Sequence, residues 1–301
     1  MLVVLSFAAL LFIDPSVVAD MENSYKGLKE AQNNKDAALV KKLAGETSAL
    51  ARKVAADPAP QGEVEKEDWK NRVAYARDIE VQSEYALFVT AAAAPAATAV
   101  DLFETLEKQN PKSRYLDEGY SRYLYALNQN GAASRIPAVA EKGLANLPDQ
   151  EDLLLVMAEN SQAKKQSDRA LAYARRLIVV LNKHPKPEGM AAADWDKKKA
   201  TSLSHGYWIA GVICGEKGLF AESDRNLRAA LPLIKGQDAL MGPALFYLGV
   251  SNYQLGKQTL NKARVVEAQK FSEEGAKIQG PYQNLAWKNA MSIKDEAGRM
   301  R

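Results

Sequence analysis

The chain has 301 residues, of which 47% are hydrophobic and 26% are charged, so it can bury a large core and is not disordered as a whole. Its 40 basic side chains nearly balance its 37 acidic ones, which excludes the strongly basic surface of a nucleic-acid binder. The single cysteine, Cys214, excludes an intramolecular disulfide.

The N-terminal segment has the pattern of a secretory signal. Leu2 to Ile13 is an apolar run broken only by Ser6, and Val17-Val18-Ala19 supplies small residues before Asp20. We therefore interpret residues 1–19 as a signal peptide cleaved after Ala19, and expect an exported protein, periplasmic or secreted. The apolar run would span about 18 Å as a helix against a hydrocarbon core of roughly 30 Å, so we expect no membrane insertion after cleavage. A buried N-terminal helix is the alternative, because no Lys or Arg precedes the run.

The following residues, 20–79, are predicted to form an N-terminal helical region. Asp20 to Ala55 has the pattern of a helix pair that turns at Asn33-Asn34-Lys35. A loop rich in proline and glycine occupies residues 57–62, and a long helical pattern runs from Glu67 to Ala92. We find no alternating strand pattern anywhere, so the predicted fold class is all-α, with about thirteen helices.

Five helical stripes with small residues recur through the rest of the chain. They are Ala99/Phe103/Leu106, Ala138/Lys142/Ala145, Ala170/Ala174/Leu177, Ser223/Leu227/Ala230 and Ala268/Ser272/Gly275. A recurring unit of this size indicates stacked helix pairs, because one pair cannot bury its own apolar face.

The clearest pair runs from Ser204 to Pro232, with its turn at Lys217-Gly218. Gly211 and Ser223 lie twelve residues apart, which allows the two helices to approach closely. The same offset links Ala158 to Ala170 and Leu87 to Ala99. From Gly249 to Ala268 the offset is nineteen, which we interpret as an insertion around residues 257–262.

This pattern resembles the tetratricopeptide repeat family, most completely at Ala99, Phe103, Leu106 and Pro111, although the repeats are degenerate. The whole chain is similar to exported bacterial proteins of that family with no assigned activity. The resemblance implies an α-α superhelix, a right-handed solenoid of antiparallel helix pairs.

The resulting organisation is a first repeat group at 80–181, a loop or linker with a helix start at 182–199, a second group at 200–280 and a capping helix at 281–301. The segment 182–199 is interpreted as either a hinge or a rigid insertion. In the capping helix, Lys288, Asn289, Lys294 and Asp295 are expected to face water.

No catalytic pattern is present. The two histidines, His184 and His205, have no second ligand at zinc spacing, so no metal is expected. Glycine spacing excludes a phosphate loop, and no G-x-S-x-G elbow occurs. We therefore expect no cofactor and no enzyme activity.

The resemblance implies a groove lined by the first helix of each pair. Besides Gly215, its candidate peptide-binding residues are Leu155, Glu159, Gln162, Trp208, Val212, Phe246, Val250 and Tyr253. This aromatic, nearly uncharged lining suits an extended or helical peptide. The alternative is that Trp208 and Phe246 only pack against the next helix pair or the terminal helix.

The expected function is a non-catalytic scaffold that binds a protein or peptide partner in the bacterial cell envelope, with no nucleic-acid partner. The alternative is a structural factor that self-associates or holds an envelope complex together.

Overall fold

The computed structural model describes residues 14–187 and 189–298, and these form an all-α fold without a β-strand among them. Thirteen α-helices and one 3-10 helix, Ala133–Arg135, make up the described chain. The α-helices are α1 Pro15–Asn33, α2 Ala37–Ala55, α3 Glu63–Ala93, α4 Ala96–Gln109, α5 Arg114–Gln129, α6 Ile136–Asn146, α7 Glu151–Ala163, α8 Ser167–Lys183, α9 Ala192–Glu216, α10 Phe220–Ala230, α11 Asp238–Gln258, α12 Lys262–Gly275 and α13 Gln283–Ala297. The chain divides into two compact units between Ile136 and Pro137.

The first unit contains α1 to α5 as successive helix pairs. The turn between α1 and α2 lies at Asn34 and Lys35, where Lys35 has a φ of 56°, and Asp36 caps α2 by accepting from the Leu39 amide at 3.0 Å. This confirms the predicted turn. α1, α3 and α5 contact one another in succession, and α2 and α4 pack on them.

Two tyrosines of α5 are buried in the core of the first unit. Tyr120 and Tyr123 are almost completely buried, and the Tyr123 ring stacks on Phe103 of α4 with centroids 5.3 Å apart. Burial raises the pKa of both phenols well above the usual value, and Glu107 adds to the effect.

The second unit contains α6, three further helix pairs and the helix α13. We call α7, α9, α11 and α13 its first helices, because each contacts the next, and α8, α10 and α12 its second helices. Each second helix packs on its own first helix and on the following one. Every pair therefore buries its apolar face with help from a neighbour, as expected of a helical repeat.

Small residues let paired helices approach closely. A Cβ atom at Gly211 would lie 2.5 Å from Leu227 Cγ of α10, and the Ser223 hydroxyl donates to the Gly211 carbonyl oxygen at 2.9 Å. The twelve-residue offset predicted this contact. Ala158 and Ala170, and Leu87 and Ala99, are likewise fully buried.

Four of the five predicted stripes are buried, and one is wrong. Ala138, Lys142 and Ala145 are exposed, and α6 instead buries Val139, Ala140 and Gly143. Alanine is compatible with either environment, so a stripe of two alanines and a lysine does not determine which side of a helix is buried.

The offset between Gly249 and Ala268 does not arise from an inserted loop. α11 continues to Gln258 and α12 begins at Lys262, so only three residues connect them. The extra residues are helical: α11 runs about one turn further beyond Gly249 than α9 runs beyond Gly211. Likewise, α12 begins about one turn further before Ala268 than α10 begins before Ser223. The additional turn is closely packed, since a Cβ at Gly256 would lie 2.7 Å from Val265 Cγ2.

The segment predicted as a loop or linker is shorter than expected. α9 already begins at Ala192, and Trp195 in its first turn is buried against Leu154, Leu177 and Leu181. Lys198 donates to the carboxylates of Glu151 at 3.0 Å and Asp152 at 2.9 Å. These contacts hold the start of α9 against α7 and α8, and the boundary between the compact units lies elsewhere, after Ile136.

The terminal helix α13 has the expected exposed charges. Lys288, Lys294 and Asp295 are exposed, whereas Asn289 donates to the Ser272 hydroxyl of α12 at 2.9 Å. Asn289 therefore fixes α13 to α12 and does not face water as predicted.

The apolar run Leu2–Ile13 lies outside the described residues. Within them, Asp14 caps α1 by accepting from the Ser16 amide at 2.9 Å, and Val17 and Val18 pack against the core of the first unit. The predicted cleavage point after Ala19 thus falls within α1. Over the described residues, every helix is too short or too polar to cross a bilayer.

Candidate functional site

The candidate residues lie on three consecutive first helices of the second unit, α7, α9 and α11, and we call this surface the first-helix face. Glu159 is exposed and Val212 is only 4% exposed, while the others are partly buried. Val212 belongs to a core cluster with Leu227 and Leu248, so it is a correction to the predicted groove lining. Gly215 is also buried, because a Cβ there would lie 2.5 Å from Tyr247 Cδ1.

The α7 side of the face carries a carboxylate–imidazole pair. Glu159 Oε1 lies 2.6 Å from His205 Nδ1 of α9, a contact that sequence spacing did not reveal. The hydrogen bond to Glu159 raises the pKa of His205, while partial burial opposes the shift. The pair ties two first helices together across the face.

A cavity of about 320 Å³ lies between α7 and α9, and Gln162 contributes to its wall. The other lining residues are Lys165, Ser167, Ile213 and Glu216. Lys165 lies in the α7–α8 turn with a φ of 57°, so the backbone there is held in the left-handed region. This mixed polar and apolar recess suits a polar side chain of a bound segment more than a large apolar one.

Trp208 links α9 to α11. Its indole Nε1 donates to the Leu240 carbonyl oxygen at 2.8 Å, and its ring packs against both adjoining core clusters. Leu155 similarly packs on the cluster around Leu154. These contacts match the alternative in which Trp208 packs against the next helix pair.

Phe246 belongs to an aromatic group with Tyr247 and Tyr282. Its ring centroid lies 4.9 Å from that of Tyr247 and 5.5 Å from that of Tyr282, which precedes α13. Burial raises the pKa of Tyr247, with Tyr282 and Glu216 nearby. Phe246 thus contacts the terminal segment of the chain, as its structural alternative predicted.

Val250 and Tyr253 continue the face along α11. Lys257 Nζ lies 5.2 Å from the centre of the Tyr253 ring and donates to Glu296 of α13 at 2.9 Å. Val250 is partly exposed and takes part in none of these polar links. It is the apolar position on α11 that is best suited to a test by substitution.

A charged network centred on Asp224 was not predicted from the sequence. Asp224 Oδ1 accepts from Arg228 Nε at 2.7 Å and from Asn252 Nδ2 at 2.6 Å, and its Oδ2 accepts from Arg264 at 2.7 Å. Arg228 also pairs with Glu267, whose pKa it lowers by hydrogen bonding. The network joins α10, α11 and α12, and every member has a partner, so its role is structural.

Neither a metal site nor a reactive thiol is formed by the described residues. No group of three His, Cys, Asp or Glu side chains converges in the described chain. Cys214 is fully buried beside Ala158 and Ala170, and burial raises its pKa to about 11.

No protein-family model matches the chain, and no curated protein matches it. Among solved structures, one similar chain is described as "Computational Design of Self-Assembling Cyclic Protein Homooligomers". The similarity covers 95% of this chain and 94% of that one, with 13% sequence identity and a TM-score of 0.24. A TM-score this low carries no argument about fold or function.

Proposed function

We propose that the protein is a non-catalytic, tetratricopeptide-like scaffold that binds a protein or peptide partner in the bacterial envelope. The observation that carries the proposal is the first-helix face, where partly exposed apolar and aromatic side chains come from three consecutive helices. Leu155, Trp208, Phe246, Val250 and Tyr253 are its apolar members. Peptide grooves built on paired helices present anchors of this kind at helical spacing.

The polar links across the face favour a preformed surface. Glu159 with His205, Trp208 with Leu240, and Lys257 with Glu296 each fix a first helix to its neighbour or its connection. A ligand that binds a preformed face loses less free energy to ordering than one that must first assemble its site. The face therefore supports binding by a segment with one or two apolar anchors and a polar group near Gln162.

A peptide library displayed on phage, selected against the full chain, tests this proposal. Val250→Asp places a charge on the first-helix face, and Val266→Asp is the matched control on α12, where Val266 is 37% exposed. We expect selected peptides to bind wild type and Val266→Asp equally and to lose at least tenfold in affinity for Val250→Asp. Equal binding to Val250→Asp, with unchanged circular dichroism, would contradict the assignment of the face.

Export is part of the proposal and has its own test. Mass spectrometry of the N-terminus of the protein recovered from the envelope fraction should give a chain that begins at Asp20. Recovery of a chain that retains residues 14–19 would contradict cleavage after Ala19, and would leave Val17 and Val18 in their packed positions.

A second candidate function is self-association. The observation that favours it is Trp287 on α13, whose side chain is 54% exposed at the end of the second unit. A structural factor that pairs through this helix would be an oligomer in the absence of any other partner.

A further inference from the structure

Helix α13 has one buried side and one open side, which carries two apolar residues followed by Lys294. Ala286, Ala290 and Ile293 are buried where α13 packs on α11 and α12. Trp287 and Met291 are 54% and 39% exposed, and because they are four residues apart they lie on the same side of the helix. Of the four tryptophans, all within the described residues, Trp287 alone is exposed.

Helix α11, the first helix before α13, shows which neighbouring helix covers the side that Trp287 and Met291 occupy on α13. Ala244 and Leu248 of α11 belong to the core cluster that includes residues of α10, just as Ala286 of α13 contacts Gly275 of α12. α13 is therefore placed against α12 as α11 is placed against α10. A shift of 42 residues aligns the two helices, with Ala244 on Ala286.

Under that shift, Leu245 corresponds to Trp287 and Gly249 to Met291. Leu245 is 3% exposed, and a Cβ at Gly249 would clash with the Ser272 hydroxyl oxygen, so both residues face α12. Trp287 and Met291 thus occupy the positions that the second helix covers in the α11–α12 pair. Among the described residues, α13 has no such second helix.

We propose that α13 of a second copy of this chain covers Trp287 and Met291, in an antiparallel, two-fold symmetric pair. The exposed charges beside Trp287 and Met291 indicate that the covering helix comes from a second copy of the chain. Lys288 and Asp295 are exposed and seven residues apart, so they lie on one flank of α13 with opposite signs. Antiparallel pairing about an axis near Met291 sets each Lys288 opposite the Asp295 of the other copy.

The pairing is also sterically consistent. Gly298 follows Asp295 by three residues and is exposed, so in the antiparallel pair it lies near the Trp287 indole of the other copy and leaves room for it. A parallel two-fold arrangement would instead place Lys288 and the partner's Asp295 on opposite sides of the interface, so both ion pairs would be lost. The interface uses one helix from each copy and is smaller than the roughly 1,200 Å² of a standard interface, so we expect a dimer with a micromolar dissociation constant.

This inference rests on the second candidate function, self-association. Sedimentation equilibrium of the full chain from low to high micromolar concentration tests it. We expect wild type to shift from monomer to dimer, and Trp287→Glu/Met291→Glu to remain monomeric. Leu285→Glu is the matched control, since Leu285 is 46% exposed on another side of the same helix, and it should dimerise like wild type.

Charge reversal identifies the antiparallel geometry. Lys288→Asp and Asp295→Lys should each raise the dimer dissociation constant roughly tenfold, because both symmetric ion pairs become like-charge contacts. The double variant Lys288→Asp/Asp295→Lys should restore the wild-type value. If a helix of another protein covered Trp287 and Met291 instead, the double variant would have no reason to recover the wild-type dissociation constant.

The outcomes separate the interface from the function. A wild-type chain that is monomeric throughout would overturn self-association and this interface together. A dimer that persists in Trp287→Glu/Met291→Glu, or that the double charge reversal fails to restore, would overturn the interface alone. If the glutamate variants do not fold, the concentration-dependent blue shift of Trp287 emission, taken as the difference from Trp287→Phe, is the deciding measurement; no shift overturns the pairing.

Discussion

The Ser223 hydroxyl donates to the Gly211 carbonyl oxygen across 2.9 Å, where α9 and α10 pack together. Gly211 permits this approach because a side chain there would meet Leu227, 2.5 Å away at Cγ and 3.1 Å away at the backbone nitrogen. The backbone nitrogen has little freedom to move, so the helices themselves would have to separate.

Gly211→Ala should therefore destabilise the second unit by about 1–3 kcal/mol, although alanine favours helices more than glycine does. Urea denaturation followed by circular dichroism measures the free energy of unfolding. Gly45→Ala in α2 is the control: a Cβ there would have no heavy atom within 4 Å outside its own helix backbone and chain neighbours, among the described residues. It should raise stability by about 0.5–1 kcal/mol. Equal effects of the two substitutions would contradict the close packing at Gly211.

The helix pairs were predictable because their signal is local. Gly211 and Ser223 are small residues at a fixed offset, and Leu227 adds a large residue that sets the buried side. The stripe at Ala138 lacks such a residue, and its phase was wrong. The buried stripe of Ala268, Ser272 and Gly275 has no large residue either, so small residues alone do not determine the phase of the buried face.

The contacts across the first-helix face were harder to predict from the sequence than the helix pairs. Spacing along one helix selected Glu159 and Trp208, but their partners, His205 and the Leu240 carbonyl, lie 46 and 32 residues away. Such contacts depend on the placement of one helix against another, which a helical period does not specify. Val212 was misassigned for the same reason, since its neighbours come from α10 and α11.

The network around Asp224 predicts a large effect from a single side chain. Asp224→Ala should destabilise the chain by about 1–3 kcal/mol, because Arg228, Arg264 and Asn252 each lose a buried hydrogen-bond partner. Urea denaturation measures the loss. Asp168→Ala is the control, since the Asp168 side chain is 90% exposed and pairs with Lys217 at the surface. That substitution should leave the free energy of unfolding unchanged. An equal loss in both variants would contradict the prediction that the network stabilises the fold more than an exposed ion pair does.

The Glu159–His205 pair predicts a pH dependence. Because the folded-state pKa of His205 is raised, the pair stabilises the fold fully below the unfolded value near 6.5, and the contribution disappears as pH rises through the folded pKa. NMR titration of the His205 ring should give a pKa above the usual value, and Glu159→Gln should lower it. The stability difference between wild type and Glu159→Gln should be larger at pH 5.5 than at pH 8.5. A difference that is independent of pH would show that the imidazolium form is not what Glu159 stabilises.

The rate at which the Cys214 thiol is labelled measures how readily the core of the second unit opens to solvent. As the single cysteine, it makes every labelling signal assignable, and its thiol is fully buried with a pKa raised to about 11. Because the thiolate is the reactive form, reaction with a disulfide reagent at pH 8 requires the unit to open first. We expect labelling to be slow in the native protein and complete in urea. In Gly211→Ala the rate should rise by the same factor as the opening equilibrium constant. Rapid labelling of the native wild type, with the pH dependence of an exposed thiol, would contradict the burial of Cys214 between α7, α8 and α9.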